Sequence, residues 1–525
     1  MSNLTNVHLL NVPFEADYKN TLYFGSKDAQ TNYFLNRVVH SCTDASYQRK
    51  EKAFRINKNV DSLYNCNYVM YQNTAFSDKW FYAFITDLEY RNEETTFVHF
   101  EIDVMQTWAF DYTIKPSFIE REHVNDDTIG LHTVPEGLET GEFICNELDR
   151  DLELRDYAYI LNVTDGRTED TETTHVSTNM GGVHIPGDVY VSDDFSMIAI
   201  LVREWNIAGK GDAVANAYMI PKKIINFDFE DHGLLFDGQT APVTYNHTTS
   251  KQKTLDGYTP TNKKLLSYPY NYLLLSNNSG SANILHYEHF SGAECEFEIA
   301  GVPCVGGSIK CVPINYKGLN RIQEEGIMCG KFPTLAWSND NYTNWLTQNA
   351  VNNTIGFVSD GLKVVAGTTI AIAGTAGTGG IGAGIAGTGG GAMIVSGVSG
   401  IASRLSQMHQ MSFTPNSARG NTNGGDINTC YKMNTFYFYK MSIKKEFATV
   451  IDGFFNMFGY KVNAVKTPNK NHRKNYWYTK TIDVNIDGAI PNKELQQIKN
   501  CYNAGITFWR SGSDVGNYSI DNSIT

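Results

Sequence analysis

The feature that most constrains this chain is a forty-residue stretch, from Val364 to Ser403, without a charged side chain, aromatic ring, proline, Asn or Gln. It reads VVAGTTIAIAGTAGTGGIGAGIAGTGGGAMIVSGVSGIAS, with thirteen Gly, eight Ala, eleven Ile, Val or Met, and eight Ser or Thr. Each Gly costs about 1 kcal/mol relative to Ala in a helix, so the stretch is a poor core helix. It is also too apolar for a solvated Gly/Ser linker. We interpret it as a segment that changes its surroundings, hidden first and inserted into a membrane later.

Two other interpretations fit parts of this stretch. A nucleotide site is one, because Gly377-x-Gly379-x-x-Gly382 satisfies the dinucleotide fingerprint. A stretch that is one-third Gly matches by chance, the expected ribose-binding acid is missing, and no GK[ST] is present. An inert tether or a buried pair of Gly/Ala helices is the other, because GxxxG spacing suits close helix packing. The loop glycines with that spacing are Gly380, Gly384, Gly387 and Gly391.

Membrane insertion is the interpretation that the composition favours. A Gly cluster near the middle divides the stretch into two arms of about 20 residues, each close to the length that spans a bilayer as a helix. Its apolar side chains, at about 2 kcal/mol each, contribute roughly 20 kcal/mol in lipid, whereas its glycines subtract roughly 13 kcal/mol. One copy therefore inserts marginally, and several copies held in a ring cooperate. The predicted membrane-active residues are Val364, Val365, Ile370, Ile372, Ile381, Ile385, Met393, Ile394, Val395, Val398 and Ile401.

The regions that flank this stretch are predicted from simpler signals. Residues Asn341 to Asn353 read as a helix before it. Asn416 to Asn428 is a Gly/Asn-rich polar stretch after it and is predicted to be a hinge. The candidate hinge glycines are Gly420, Gly424 and Gly425.

Composition limits the class of protein. At 525 residues the chain should contain two to four domains, and thirty Tyr with twenty-eight Phe favour a folded, sheet-rich protein. A formal charge of -13 argues against tight binding of nucleic acid, although an acidic tube through which DNA slides without sticking is compatible with it. The amino-terminal residues contain no pattern of a secretory signal. Nine cysteines without a CxxC motif indicate free thiols in a reducing compartment.

Period-two patterns predict an antiparallel β architecture with a few helices. Strands are predicted at Tyr68–Tyr71, Trp80–Ile85, Thr96–Val104, Val189–Val191, Met197–Val202, Tyr272–Leu275, Phe297–Ala300, Phe436–Tyr439 and Lys480–Ile486. Residues 161–187 are predicted to be a long exposed loop. Helices are predicted around Lys444–Met457 and over Pro491–Ala504.

Two charged regions could suggest chemistry. Glu120-Arg121-Glu122-His123, with Asp126, Asp127 and His132 nearby, offers metal-ligand residue types, but the spacing fits no known motif. We interpret it as a charged loop between strands or subunits, where charge pairs fix register. A basic run interleaved with aromatics is interpreted as a solvated face or a contact to anionic lipid or to a neighbouring protein. Its residues are Lys461, Lys466, Lys470, Arg473, Lys474, Lys480 and Tyr476-Trp477-Tyr478.

Long continuous runs of the sequence resemble the tail-knob (distal tail tube) proteins of phi29-like short-tailed bacteriophages. The resemblance covers the N-terminal third and the C-terminal sixth well and is weak from about Arg167 to Thr334. The runs are VPFEADYKNTLYF (Val12–Phe24), NCNYVMYQN (Asn65–Asn73), KWFYAFI (Lys79–Ile85), DVMQTWAFD (Asp103–Asp111), PSFIEREHVNDDTIGLHTVPEGLETGE (Pro116–Glu142), GYKVNAVKTPN (Gly459–Asn469), TIDVNIDGAIPNKEL (Thr481–Leu495) and GITFW (Gly505–Trp509).

The resemblance implies a mainly β, β-rich α+β protein of several domains, whose antiparallel sheets or barrel form a tube wall in a homohexameric ring. The implied divisions are an N-terminal part of the tube domain (1–160), an inserted β-rich middle domain (161–340), the hydrophobic loop with its hinge (341–430) and a C-terminal return to the tube domain (431–525).

The resemblance also implies a function at the distal tail tip of a virion. The ring would conduct DNA without binding it specifically, and its hydrophobic loops would penetrate the host cytoplasmic membrane for genome ejection. The implied partners are further copies of the chain, adjoining tail components and membrane lipids. The alternative is a structural or receptor-contacting tail tube protein whose Gly-rich loop only plugs the channel. No enzyme activity, catalytic residue, cofactor or metal site is predicted.

Overall fold

A computed structural model describes most of the chain outside one long internal region. The prediction of a β-rich α+β fold with several antiparallel sheets is confirmed. The stretch from Val364 to Ser403, the helix predicted at Asn341–Asn353 and the hinge glycines Gly420, Gly424 and Gly425 lie outside the described residues. The described residues are 5–43, 45–48, 52–73, 79–164, 177–207, 213–233, 235–236, 242–278, 280–304, 307–317, 326–329, 332, 337–338, 418–419 and 435–525.

The strands are short and follow one another closely, as expected for antiparallel sheets. They are β1 Thr5–Leu10, β2 Asn20–Leu22, β3 Val38–Cys42, β4 Ser46–Gln48, β5 Ala53–Ile56, β6 Tyr68–Asn73, β7 Phe81–Asn92, β8 Thr95–Ile102, β9 Tyr112–Ile114, β10 Ser117–Glu122, β11 Phe143–Arg150, β12 Tyr157–Val163, β13 Ser177–Met180, β14 Val183–Pro186, β15 Asp188–Ser192, β16 Val214–Pro221, β17 Thr244–Ser250, β18 Asn271–Ser276, β19 Ala282–Leu285, β20 Glu294–Gly301, β21 Ile309–Pro313, β22 Ile327–Cys329, β23 Trp337–Ser338, β24 Ala418–Arg419, β25 Tyr437–Ile443, β26 Tyr460–Lys466, β27 Tyr476–Ile482, β28 Ile486–Gly488 and β29 Ile506–Trp509.

Helices occupy the connections between strands. They are α1 Lys27–Leu35, α2 Val104–Thr107, α3 Phe195–Ile207, α4 Lys445–Phe458 and α5 Asn492–Ala504, and short 3-10 turns lie at Val60–Ser62, Glu153–Arg155, Lys222–Ile224, Glu230–His232, Lys263–Leu266 and Tyr287–His289. The start of α1 is fixed by Ser26, whose side chain accepts a hydrogen bond from the Ala29 N–H at 3.2 Å. The two helices predicted near the C-terminus are confirmed as α4 and α5.

The chain divides into two compact units. Unit 1 consists of Met1–Glu139, Pro260–Leu265 and Glu446–Thr525, and unit 2 consists of Thr140–Thr259 and Leu266–Lys445. Unit 1 is therefore assembled from both ends of the chain. The four-part division made from the sequence stays a prediction.

Unit 1 contains a seven-stranded sheet with the order β3-β1-β6-β7-β8-β5-β4 and a five-stranded sheet with the order β2-β29-β27-β10-β26. In the second sheet β2 pairs in parallel with β29, which lies near the opposite end of the chain. The Trp509 indole N–H donates to the Asn20 Oδ1 at 2.8 Å beside this pair, across 489 residues of sequence. Trp509 itself is fully buried in a core of aromatic side chains.

Unit 2 contains two four-stranded sheets, β11-β25-β18-β19 and β17-β20-β21-β22, a three-stranded sheet β15-β12-β16, the hairpin β13-β14 and the pair β23-β24. One apolar cluster, which includes Leu273, Phe297 and Phe438, packs at the centre of the unit. A second cluster forms between α3 and the three-stranded sheet around Trp205.

Two elements of unit 2 differ from prediction. Residues Met197–Val202 were predicted as a strand but lie within α3, because Ile198, Leu201 and Trp205 are buried at helical spacing. The Asp194 carboxylate also accepts from the Ser196 N–H at 2.9 Å and caps the first turn. The long loop predicted over 161–187 is wrong for its described part, because Ser177–Pro186 forms the hairpin β13-β14.

The pair β23-β24 brackets the long undescribed region. Trp337 pairs with Arg419 and Ser338 pairs with Ala418 in antiparallel register. The residues on either side of 339–417 are thus hydrogen-bonded neighbours. None of the helices in the described part of the chain is long and apolar enough to cross a bilayer.

Candidate functional site

The charged run Glu120–His123 was predicted to be a loop, and this is wrong, because the run lies on β10 and directly after it. The register of β10 shifts between Ile119 and Arg121 against both neighbouring strands. Such an irregularity breaks the alternation of faces, so that Arg121 and Glu122 are both buried. The run is therefore an interior feature of unit 1.

Arg121 and Lys264 share one carboxylate in the interior of unit 1. The Glu136 side chain is fully buried and forms ion pairs with both cations. Arg121 also donates to the Gly459 carbonyl at 2.7 Å, and Lys264 donates to the Val134 carbonyl at 2.8 Å. Burial lowers the pKa of Lys264, which the adjacent Glu136 carboxylate partly offsets. Each charge in the group has a partner from the same chain, as buried charges require.

Gly459 is required by the close approach of backbone to backbone at this network. Its φ is +64°, in the left-handed region that disfavours side chains. A Cβ at this position would also lie 2.1 Å from the Glu122 carbonyl oxygen. The residue therefore ends α4 and places its own carbonyl where Arg121 binds it.

His123 is held as a neutral imidazole. Its Nδ1 accepts from the Tyr478 N–H at 2.7 Å, so its Nε2 carries the proton that it donates to the Asn456 carbonyl at 3.0 Å. Burial, reinforced by the positive charge of Arg473, lowers the pKa of His123 to about 3. With both ring nitrogens engaged, His123 cross-links the strand and helix segments and has no lone pair for a metal.

Three lysines of the basic run each form an ion pair with a carboxylate of the same chain. Lys466 pairs with Glu122 at 2.6 Å, Lys474 with Asp521 at 2.7 Å, and Lys480 with Glu120 at 2.9 Å. Arg473 is buried, and Tyr476, Trp477 and Tyr478 are core residues. The interpretation of this run as one solvated face is therefore wrong.

An apolar row lies on the exposed face of the same five-stranded sheet. Phe118 pairs in register with Val465 on one side and with Ile482 on the other. Cross-strand partners share a face, and these three side chains are 36%, 71% and 54% exposed. Three adjacent exposed apolar side chains on three neighbouring strands indicate a contact surface rather than a purely solvated face.

Sequence reasoning missed a group of possible metal ligands in unit 2. His286, Glu288 and His289 each place one ligand atom within 4.8 Å of the others. They lie at the 3-10 turn that follows β19. The available signal was the sequence HYEH, in which the two histidines are three residues apart, and this is too short a pattern to stand alone.

The described residues thus contain three features: the buried charges around Glu136, the apolar row on the five-stranded sheet and the histidine group at the turn after β19. Every membrane-active and hinge residue predicted from the sequence lies outside the described residues. The apolar row and the histidine group are each confined to one unit. What the structure adds to the predicted loop is the position of its flanks, Ser338 and Ala418, in adjacent strands.

Two sequence families match the chain. The family described as Bacillus phage phi29, Tail knob protein gp9, C-terminal domain matches residues 237–523. The family described as Caudoviral major tail protein N-terminus matches residues 3–113.

Curated relatives align along nearly the whole chain. Tail knob protein gp9 of Bacillus phage PZA and that of Bacillus phage phi29 are each 28% identical, over 99% of this chain and 98% of the relative. Tail knob protein gp9 of Bacillus phage B103 is 26% identical, over 98% of this chain and 97% of the relative. The similarity therefore includes residues 167–334, where the resemblance in the sequence was weak.

A solved structure has a similar fold. The bacteriophage C1 tail knob protein, gp12, superposes with a TM-score of 0.66 and covers 99% of this chain and 100% of its own. At 15% identity this likeness concerns the fold alone.

Proposed function

The chain belongs to the family of the Bacillus phage phi29 tail knob protein gp9 and is a structural component of a phage tail, and on this premise we propose that it forms a tail-tip DNA conduit with a membrane-penetrating loop. The conduit is a homohexameric ring assembled in the host cytoplasm, joined to other tail components. The observation that carries the membrane step is the uncharged stretch from Val364 to Ser403. No catalytic step belongs to this proposal.

The charge distribution supports a conduit that does not retain DNA. The formal charge is -13, and phosphate binding needs clustered, available Lys and Arg. In the basic run near the C-terminus, three lysines are already paired with carboxylates of the same chain: Lys466, Lys474 and Lys480. DNA would therefore meet few cations along the described part of this run.

The bracketing pair β23-β24 supports the loop interpretation. Because Ser338 and Ala418 are paired, the two flanks of the region 339–417 lie side by side in adjacent strands. A region closed at its base can change its surroundings while the rest of the chain keeps its fold. This is what a release from a hidden position into lipid requires.

The exposed row Phe118–Val465–Ile482 supports self-association. A second copy of this chain is the occupant that fits, because the implied ring needs each copy to cover apolar surface on its neighbour. Phe118→Asp should leave the chain folded, since the side chain is already 36% exposed, and should reduce the ring to smaller species in light scattering. An unchanged ring would assign the subunit contact to another surface.

Dye release from liposomes tests the function. The intact protein is compared with a variant that lacks residues 364–403, after light scattering has shown equal ring size. We expect leakage from the intact protein and none from the variant. Equal leakage from both, across neutral and acidic pH, would leave a tail tube protein whose Gly-rich segment only plugs the channel.

A double substitution tests the same step without a deletion. Ile381→Asp plus Ile385→Asp places charges where the segment would cross the bilayer, and each costs roughly 2.5–3.5 kcal/mol there. Leakage should be abolished while the ring persists. The matched control is Ser396→Thr plus Ser399→Thr, which keeps the segment uncharged and should leak like the wild type. Leakage by the aspartate variant from an intact ring would contradict membrane insertion of this segment.

A further inference from the structure

The turn that follows β19 gathers three side chains with metal-binding chemistry. In a 3-10 turn, residues three apart lie above one another, and here the His286 and His289 ring centroids are 5.0 Å apart. The turn is closed by the His289 N–H, which donates to the His286 carbonyl at 3.1 Å. Glu288 lies between the two histidines in sequence, and one ligand atom of each residue lies within 4.8 Å of the others.

Core packing fixes this turn from the opposite side. Tyr287 and Phe290 are each 2% exposed and belong to the central apolar cluster of unit 2. Their burial leaves His286, Glu288 and His289 together on the other side of the turn. The three potential ligands are thus positioned by packing that does not depend on a metal.

Glu288 is a buried carboxylate without a lysine or arginine bonded to it among the described residues. Its side chain is 4% exposed, and it accepts from the Tyr268 N–H at 3.2 and 3.3 Å. Its Oε1 lies 3.7 Å from the His286 Nδ1. A bound cation would supply the charge compensation that no bonded lysine or arginine among the described residues provides.

Ring stacking fixes the orientation of the His286 imidazole. The ring lies on Tyr268, with centroids 4.2 Å apart and planes within 6°. A histidine binds a metal through a deprotonated ring nitrogen.

Tyr316 fixes the orientation of the His289 imidazole through a hydrogen bond to its Nδ1. Its hydroxyl lies 3.2 Å from the His289 Nδ1 and accepts from the His286 N–H at 3.0 Å. In the tautomer with the proton on Nδ1, His289 donates to Tyr316 and directs the lone pair of Nε2 away from it. A hydrogen bond from the non-ligating nitrogen is the usual support of a metal-bound histidine.

We propose that His286, Glu288 and His289 bind one divalent transition-metal ion, with Zn²⁺ the best match. Two imidazoles and one carboxylate suit Zn²⁺ with water in a fourth position. Mg²⁺ and Ca²⁺ fit poorly, because they take six or more ligands that are predominantly oxygen atoms. The ion would tie the turn between β19 and β20 and is independent of the proposed membrane step.

Titration of chelator-stripped, full-length protein with Zn²⁺ at neutral pH tests this site. Calorimetry should show one ion per chain for the wild type, and Co²⁺ in place of Zn²⁺ should give the visible absorption of a four-coordinate N₂O₂ site. His289→Ala and Glu288→Gln should each lose this binding. Circular dichroism in chelator should match the wild type for both variants.

Two further variants separate a built site from adventitious binding. His232→Ala is the matched control, because His232 is an exposed imidazole bonded to Asp193 at 2.9 Å, and its loss should change neither affinity nor stoichiometry. Tyr316→Phe should keep one ion per chain but weaken affinity by about 10- to 100-fold, as for loss of an orienting partner. Absence of a stoichiometric ion in the wild type, or equal binding by His289→Ala, would overturn the proposal.

Discussion

Two buried glutamates, one in each unit, are partnered in opposite ways. Glu136 in unit 1 is fully buried and forms ion pairs with Arg121 and Lys264. Glu288 in unit 2 is almost as buried, yet it accepts backbone hydrogen bonds from Tyr268, and among the described residues no lysine or arginine is bonded to it. The chain supplies cations for the first carboxylate, whereas the proposed metal ion would compensate the second one.

The Glu136 group is a closed polar network, because each buried charge in it is paired with an opposite charge. The Glu288 group is open, because its carboxylate has no bonded cation among the described residues. Removing one partner from a closed buried network exposes the remaining charges to an apolar interior, which is strongly unfavourable. An open group loses little when it is neutralised, but it gains from a ligand. Burial alone therefore does not tell whether a carboxylate stabilises the fold or awaits a ligand, whereas the identity of its partners does.

The largest expected effect is at Glu136. Glu136→Gln leaves Arg121 and Lys264 buried without a carboxylate, which should lower the free energy of unfolding by roughly 3–5 kcal/mol. Urea denaturation followed by tryptophan emission measures it. Asp487→Asn, which removes an exposed ion pair with Lys115 in the same unit, is the control and should have no measurable effect. Equal denaturation midpoints for the two variants would mean that the buried network of Glu136 contributes no more to stability than an exposed ion pair.

The second effect is at Glu288 and depends on metal. Zn²⁺ at a hundredfold excess over its Kd should stabilise the wild type by about 2.7 kcal/mol. Zn²⁺ should not stabilise Glu288→Gln, because the proposed site has lost its carboxylate ligand. In chelator the same variant should unfold within about 1 kcal/mol of the wild type, since a neutral amide can still accept from the Tyr268 N–H. A large loss in chelator would make Glu288 structural, like Glu136.

The smallest effect concerns how stability depends on pH through His123 of unit 1, whose two ring nitrogens are both hydrogen-bonded. The pKa of His123 is lowered to about 3 in the folded chain, against 6.5 unfolded, so its contribution to stability is complete above 6.5 and is lost as the pH falls towards 3. Between pH 6 and pH 5 the wild type should lose roughly 1 kcal/mol more than His123→Gln, which keeps a donor for the Asn456 carbonyl. Unfolding curves at the two pH values test this. Parallel losses would mean that His123 does not titrate on unfolding.

The sequence predicted much of the fold because local patterns determine it. The helix at Lys445–Phe458 and the strands around Tyr68, Phe297 and Tyr437 have periodicities that short segments display. The run Met197–Val202 failed because six consecutive apolar residues carry no period, and the buried Trp205 that reveals the helix lies beyond the run.

The interior charges could not be predicted, because their partners are distant in sequence. Glu136 lies 15 residues from Arg121 and 128 residues from Lys264. A charged run such as Glu120–His123 therefore reads as a loop until the fold brings its partners together. The histidine group posed a related difficulty, since HYEH gains meaning only from Tyr268 and Tyr316, which packing places around it.

The parallel pair β2-β29 sets an order of events during synthesis. Asn20 must wait for Trp509, 489 residues later, before the five-stranded sheet can be completed. At roughly 5–20 residues per second, a ribosome needs about 25–100 s to cover that distance. Until then β2 has no partner strand from the C-terminal end, whereas unit 2, which ends at Lys445, can fold earlier. The sheet that carries the apolar row is thus completed only after residue 509 has been synthesised, which would delay the proposed self-association until then.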